Sequence, residues 1–366
     1  MKRSWWRFFR KEEKKRLKAF NAASFDNLET LIARKRESNK KLVLCIPVTK
    51  GERTEPLLNE LKVAVDLKDA GLLDRVIVGY GGGYNEVIPR EAKEFDGGEE
   101  VDVIFTRSIT VPDMLPAQVE KGKGADMRRI AYHVTSDLIA KNEDLGDWIL
   151  GFIDGDILAV SQIDGQQRKI FGAHFVTSLF GPFLVDAELK MVSLAYCRPQ
   201  GFARVNKLIA QPLFSLVKDS RLDAIRPPYV ISGEKAWDLQ TLLTLRFRQK
   251  YGEEMQKWFD AAFKLSPSEI ATVNVGFFDH KHQAVDNLRT MSFGIMRTWL
   301  ENMLEHGVLK LGDGVELTDV LEYSEINLRG KRVYYRKEFE EKTYAPLSVL
   351  FEKGLIRKPQ ALTGIT

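Results

Sequence analysis

Asp154-Gly155-Asp156 directly follows the apolar run 148–153, where a buried strand is expected to end. Two hard carboxylates two residues apart can hold a divalent cation against a diphosphate, although Asp-Gly-Asp is also a common turn sequence. His280 stands five residues past a second strand-like run, 270–275, in the loop 276–283. A loop imidazole is often a surface group; returned to a carboxylate, it supplies a nitrogen ligand. Lys121-Gly122-Lys123-Gly124 precedes a helical pattern over 125–141. Its amides and ammonium groups suit either a diphosphate contact or a solvated basic turn. Arg204 and Asn206 lie at the start of an apolar helix ending near residue 217, which is anion geometry or an exposed helix face. Gly81, Gly82 and Gly83 would let backbone approach a ligand closely. No Gly-Lys-Ser/Thr follows them and the chain has no GxGxxG, so neither a P-loop nor a dinucleotide fingerprint is present.

The elements that must position these residues alternate. Residues 42–48 read as a strand, 55–70 as a helix with Leu57, Leu58, Leu61 and Val65 on one face, and 75–79 as a second strand. Strands over 101–106 and 148–153 flank the helix at 125–141. This predicts a mainly parallel sheet whose ligands sit beyond the carboxyl ends of its strands. Helical patterns follow at 170–184, 204–217 and 235–248, with a strand over 191–196 between the first two, and a long amphipathic helix spans 284–305. A charged helical piece is expected around 336–342. The domain reading is an N-terminal helical arm over 1–40, a catalytic domain over 41–306 and a C-terminal extension over 307–366. The catalytic domain divides into a nucleotide-sugar half, 41–160, and an acceptor half, 161–306.

The chain has 366 residues, 44% hydrophobic and 29% charged, with a net charge of +4. That balance disfavours a dedicated nucleic-acid binder and leaves room for local basic phosphate sites. Cys45 and Cys197 lack metal-ligand spacing and suit a reducing cytoplasm. No apolar run approaches the roughly 20 residues of a membrane span. Residues 1–18 interleave Trp5, Trp6, Phe8 and Phe9 with basic side chains; they suit a helix packed on protein, or weak contact with an anionic membrane surface.

Taken in order, six segments resemble the retaining GT-A glucosyl-3-phosphoglycerate and mannosyl-3-phosphoglycerate synthases. They are Gly122-Lys123-Gly124, Asp154-Gly155-Asp156-Ile157, Ala203-Arg204-Val205-Asn206 continuing to Leu213, Ile231-Ser232-Gly233-Glu234, Tyr251-Gly252-Glu253-Glu254, and Val275-Gly276 with His280-Lys281-His282. The resemblance implies a GT-A fold: a Rossmann-like, nucleotide-sugar-binding mixed sheet flanked by helices, with a C-terminal elaboration. It further implies that Asp156 and His280 bind Mg2+ or Mn2+, and that Glu52, Lys123, Asp154 and Asp156 hold the donor. The Gly201 backbone, Arg204, Asn206 and His282 would hold the acceptor, while Glu254 and the Ile231 backbone would line the reacting centre with Asp156.

The activity so implied is metal-dependent transfer of a hexose, foremost glucose, with retention. It would run from a nucleotide diphosphate sugar, UDP-glucose or a GDP-sugar, to the 2-hydroxyl of 3-phosphoglycerate, as a cytoplasmic homodimer in compatible-solute biosynthesis. Alternatives are mannosyl transfer from GDP-mannose, glucosyl transfer to glycerate, or a non-catalytic nucleotide-sugar or membrane-surface binder. The chain departs from the family pattern at Gly79 to Gly83, where an acidic-Asp-Gly-Ser loop is usual, and at Asp126. It also has Asn206 for threonine and His282 for asparagine. No carboxylate is placed as a covalent nucleophile, which favours front-face displacement.

Overall fold

The computed structural model describes residues 16–355 apart from 50–53, 83–86, 95–99, 117–118, 164, 199–202, 281–283 and 327. In chain order, strand β1 (Lys18–Asn21) precedes helix α1 (Leu28–Ser38), β2 (Lys41–Val48), α2 (Thr54–Asp69), β3 (Arg75–Tyr80), α3 (Val87–Glu94) and β4 (Asp102–Phe105). Helix α4 (Lys123–Ala140) leads to β5 (Trp148–Phe152), the hairpin β6 (Val160–Ile163) and β7 (Gln166–Lys169), α5 (Ala173–Val185) and β8 (Met191–Cys197). A π-helical turn, Asn206–Ala210, runs into α6 (Gln211–Leu216), followed by α7 (Ser220–Ile225), β9 (Lys235–Asp238), α8 (Leu239–Thr244) and β10 (Phe247–Arg248). Then come α9 (Glu253–Lys264), β11 (Ile270–Phe277), α10 (Val285–Glu305), β12 (Val320–Ile326), β13 (Arg332–Glu338), β14 (Thr343–Tyr344) and α11 (Ser348–Glu352).

Eight of these strands form one sheet in the order β1-β11-β8-β9-β5-β2-β3-β4. Every neighbouring pair is parallel except those of β9, which runs antiparallel to both β5 and β8. Strand β2 explains the layering. Its side chains alternate between two cores: Leu42, Leu44, Ile46 and Val48 pack on one face, Val43 and Cys45 on the other. A strand buried on both faces must be apolar throughout, as Lys41–Val48 nearly is. Leu179 and Phe180 of α5 fill the first face; Ile130 of α4 and Trp258 and Phe259 of α9 fill the second. Each such fully buried side chain contributes roughly 1.5–3 kcal/mol of transfer free energy.

Three expectations are corrected. Residues 18–21 form no helical arm: Lys18–Asn21 pairs in parallel with Ala271 to Asn274 as an edge strand of the main sheet, and Phe20 packs edge-on against Phe25 at 5.6 Å. The earlier part of the proposed arm, 1–15, lies outside the described residues, whereas α1 is helical and capped by Asn27, whose Oδ1 accepts from the Thr30 amide at 2.9 Å. The helix expected over 235–248 is split into β9, α8 and β10. Asp238 ends the strand and caps the short helix, its Oδ1 accepting from the Thr241 amide at 3.0 Å. The charged helical piece near 336–342 does not form: residues 336–338 complete strand β13 of a hairpin with β12, because the Val-Tyr-Tyr run favours a pleated surface and Tyr335 stacks on Tyr323 across the strands at 4.8 Å, and residues 339–342 link β13 to β14.

Candidate active site

A cleft of about 510 Å3 opens beyond the carboxyl ends of β2, β5 and β8. Strand β5 delivers Asp154 and Asp156 to its floor. Their loop is fixed from two sides: the buried Glu60 of α2 accepts from the Ile157 amide at 2.9 Å, and Ile157 forms a bridge to His280 across the sheet edge. The Leu158 amide also donates to the Asp279 carbonyl at 3.0 Å. The loop after β11 is thereby sewn to the loop after β5, which brings His280 Nδ1 to 3.5 Å from Asp156 Oδ2.

That nitrogen is buried and has no hydrogen-bond partner among the described residues. A buried polar atom left without a partner is costly, and a cation between the imidazole and the carboxylate would satisfy both. Asp156 and His280 therefore fit a divalent metal. Among the described residues no three His, Cys, Asp or Glu side chains are gathered as a metal site, and two protein ligands leave positions that oxygen donors can fill. A diphosphate supplies such oxygens.

Lys123 enters the cleft from the first turn of α4. Gly122 before it has φ +140°, a conformation that suits glycine. Gly124 after it packs so closely on β10 that a Cβ would lie 1.8 Å from the Arg248 carbonyl oxygen. The turn is seated there by the Ala125 amide, which donates to the Gln249 carbonyl at 3.2 Å. Lys123 Nζ is ion-paired with Asp154 and lies 3.2 Å from Glu254 Oε1 in the first turn of α9. Burial works against both charges of the Lys123–Asp154 pair, but the mutual attraction outweighs it. The Asp154 carboxyl is held below its ordinary range, and the Lys123 ammonium well above its own. Gly233 leaves room for the pair: a Cβ there would sit 2.5 Å from both Asp154 Oδ1 and Lys123 Nζ.

Two further ionisable groups adjoin this pair: Glu234, which the sequence reading marked only as the end of the 231–234 segment, and Lys235, which it did not single out. Glu234 is fully buried and accepts from Tyr196 Oη at 2.9 Å and Ser232 Oγ at 2.8 Å; burial, then the nearby Asp154 charge, raises its carboxyl. Lys235, whose Nζ donates to the Ser232 carbonyl, is pushed down to about 8 by burial.

No protein-family model matches the chain. The glucosyl-3-phosphoglycerate synthase of Petrotoga mobilis is 26% identical over 342 residues, spanning 91% of this chain and 91% of that protein. The enzyme of that name from Mycobacterium tuberculosis is 25% identical over 277 residues, 72% of this chain and 74% of its own length. The crystal structure of mannosyl-3-phosphoglycerate synthase from Rubrobacter xylanophilus superposes with a TM-score of 0.70 at 19% identity, covering 91% of this chain and 96% of its own. That of the Mycobacterium tuberculosis glucosyl enzyme in complex with Mn2+, UDP and glucosyl-3-phosphoglycerate gives 0.67 at 21%, covering 91% and 99%. The chain has the GT-A fold of these enzymes.

Within that GT-A frame, Asp154, Asp156, Lys123, Glu254, Ile231, Arg204 and His280 all line the one cleft. Glu52, Gly201 and His282 lie outside the described residues. Asn206 departs from expectation. It is 1% exposed and turned away from the cleft, with Oδ1 accepting from the Val230 amide at 2.9 Å and the Ile231 amide at 3.4 Å. Trp258 Nε1 holds the Val230 carbonyl at 2.8 Å, so Asn206 and Trp258 together fix the segment that presents Ile231. A side chain spent in this way holds the backbone of Val230 and Ile231 and does not line the cleft with Arg204. Gly81 and Gly82 are buried and do not line the cleft, contrary to the ligand approach expected for them, and Gly83 lies outside the described residues. Arg204, by contrast, is exposed at the cleft rim behind Ala203, whose φ of +59° is left-handed although it carries a Cβ.

Arg198 is the functional candidate that the sequence reading missed. It follows β8, lines the cleft beside Tyr196 and Tyr229, and has a buried Nε without a partner among the described residues. The rule that ligands gather at strand ends points to it; it escaped notice because it stands ahead of the 203–213 segment that carries the family resemblance.

Proposed function

We propose that this chain catalyses transfer of glucose, with retention, from UDP-glucose to the 2-hydroxyl of 3-phosphoglycerate, aided by Mn2+ or Mg2+. The observation that carries the reading is the meeting of Asp156 and His280 beside the Lys123–Asp154–Glu254 cluster in one cleft of a GT-A fold. The names of the sequence relatives point to glucose and phosphoglycerate, and the Mn2+ and UDP held by a structural neighbour point to the donor and the metal.

In this reading Asp156 and His280 hold the cation, which when bound supplies Lewis-acid stabilisation of the departing diphosphate. Lys123 adds a fixed positive charge at the same edge. Asp154 holds the ribose and Glu254 a sugar hydroxyl, with Glu52 at the base. Arg204 and Arg198, which line the same cleft, hold the acceptor's anionic groups, joined by the Gly201 backbone and His282. The bond from the anomeric carbon to the phosphate oxygen breaks, the bond to the acceptor's 2-oxygen forms on the same face, and the hydroxyl proton passes to the departing phosphate. Asp156 and Glu254 need not form a covalent bond to sugar.

The reading extends to a cytoplasmic homodimer. Cys45 and Cys197 are free thiols, and no helix among the described residues is long and apolar enough to cross a membrane. The β12–β13 hairpin exposes Ile326, Leu328 and Tyr334, apolar surface suited to a second copy, which light scattering would test. Salt-dependent vesicle sedimentation tests membrane contact by residues 1–18.

The deciding experiment incubates the protein with UDP-glucose, GDP-glucose or GDP-mannose, with 3-phosphoglycerate or glycerate, and with Mn2+ or Mg2+, and identifies products by NMR. Glucosyl-3-phosphoglycerate with an α anomeric linkage is expected. No product in any arm from folded protein overturns the enzyme reading, and a mannosyl or unphosphorylated product corrects the substrate.

A further inference from the structure

The C-terminal extension reaches back into the donor side of the cleft through one buried carboxylate. Glu341 lies between β13 and β14, and its side chain is fully buried. Its Oε1 accepts two backbone hydrogen bonds, from the Lys250 amide at 2.8 Å and the Gly252 amide at 2.9 Å. Its Oε2 faces Arg248 Nε at 3.1 Å. The turn grasped in this way carries Lys250, Tyr251 and Glu254 into the cleft. The next residue continues the attachment: the Lys342 carbonyl accepts from the Gln249 amide at 2.9 Å, and the Lys342 amide donates to Gln249 Oε1 at 3.2 Å. Gln249 in turn donates from Nε2 to the Lys121 carbonyl at 3.1 Å, and its own carbonyl accepts from Ala125. Two adjacent residues of the extension therefore hold both turns that bring Lys123 and Glu254 to 3.2 Å of each other.

We propose that Glu341 is a positioning residue for the donor half of the cleft, and that the C-terminal strap it belongs to sets the Lys123–Glu254 geometry. The proposal rests on the glycosyl-transfer reading for its kinetic part only. A carboxylate oxygen shared by two amides fixes a turn, because releasing it would leave the Lys250 and Gly252 amides without their acceptor and would remove one of the two carboxylates that face Arg248. The described hydrogen bonds of Glu341 and of the Lys342 backbone go to the 249–252 turn, on the Lys123–Glu254 side, so their loss should be felt at the donor and not at the acceptor.

The test uses the full chain carrying Glu341→Ala, with Glu341→Gln as the conservative variant that keeps a carbonyl oxygen for the two amides. Hydrogen exchange at Lys250 and Gly252 is expected to quicken at least tenfold in Glu341→Ala, with partial rescue in Glu341→Gln. The dissociation constant for UDP with Mn2+ and the KM for UDP-glucose are expected to rise about tenfold, and the KM for 3-phosphoglycerate to stay within twofold. Unchanged exchange in a folded Glu341→Ala overturns the proposal, as does faster exchange with unaltered UDP affinity, or an equal rise in both KM values. Should wild type transfer no glucose, the transfer reading fails, while exchange and UDP binding still decide the role of Glu341. If Glu341→Ala does not fold, Glu341→Asp carries the same comparisons, since it keeps the charge facing Arg248 and withdraws the oxygen from the two amides.

Discussion

His280 Nδ1 faces Asp156 Oδ2 at 3.5 Å, although the two residues come from different strands and β8 and β9 lie between those strands in the sheet. The pair is made by the Ile157–His280 bridge, so backbone pairing and not side-chain reach sets the distance. Asp156→Ala and His280→Ala should each lower kcat/KM by about 100-fold or more while leaving the circular-dichroism spectrum intact. Mn2+ binding, followed by electron paramagnetic resonance with UDP present, should weaken in parallel. Wild-type metal affinity in both variants would remove the assignment.

Arg204 and Asn206 should separate by kinetics. Arg204→Ala is expected to raise the 3-phosphoglycerate KM about tenfold with little change in stability, since it removes a charge-assisted contact from an exposed side chain. Asn206→Ala leaves the buried Val230 amide and the part-buried Ile231 amide without their acceptor and should destabilise the fold by roughly 1–3 kcal/mol in urea titration. A stable Asn206→Ala protein with a selectively raised acceptor KM would restore Asn206 to the acceptor site.

Ala203 carries a Cβ in the left-handed region, which costs about 1–2 kcal/mol. Ala203→Gly relieves that strain and loses part of the gain to unfolded-chain entropy, so its melting temperature should equal or exceed that of wild type. Ala203→Val should melt lower than wild type. A marked loss of stability in Ala203→Gly would contradict the backbone reading.

Lys235 gives a pH signature. Its folded value of about 8 lies below the ordinary 10.5, so between these values the unfolded chain binds more protons and stability rises with pH. The cost of burying the ammonium is full below about pH 8 and relieved as pH climbs to 10.5. The urea midpoint of wild type, taken relative to Lys235→Met, should therefore be flat from pH 6 to 7 and rise between pH 8 and 10.5. A difference that stays level across that window would refute the depressed value.

Much of this was legible from residue order. The β2–α2–β3 unit follows from a continuous apolar run, a one-sided helical stripe and a second apolar run, signals local enough to read directly. Asp156, His280 and Lys123, singled out by residue type and placement, and Glu254, given by the family resemblance, do meet in one cleft. Strand β9 did not show, because Lys235–Asp238 is only four residues long and runs straight into a helix, so helical periodicity masked it. Asn206 misled for a different reason: an amide at a helix start suits a ligand and a neighbouring loop equally, and only the fold shows the Val230 and Ile231 amides above it. Glu341 carried no local signal at all, since its partners lie in the turn around Lys250 and Gly252.

Strand β9 runs against its neighbours, so its start enters the sheet at the edge where β5 and β8 leave it. Neighbouring strands lie about 4.8 Å apart, which puts the ends of β5 and β8 roughly 10 Å from each other with the Ser232-Gly233 backbone between them. The separation between the 154–156 loop and Arg198 is thus set by the hydrogen-bond ladder and not by side-chain packing, so substitutions at either strand end change the chemistry of the cleft while leaving that spacing in place.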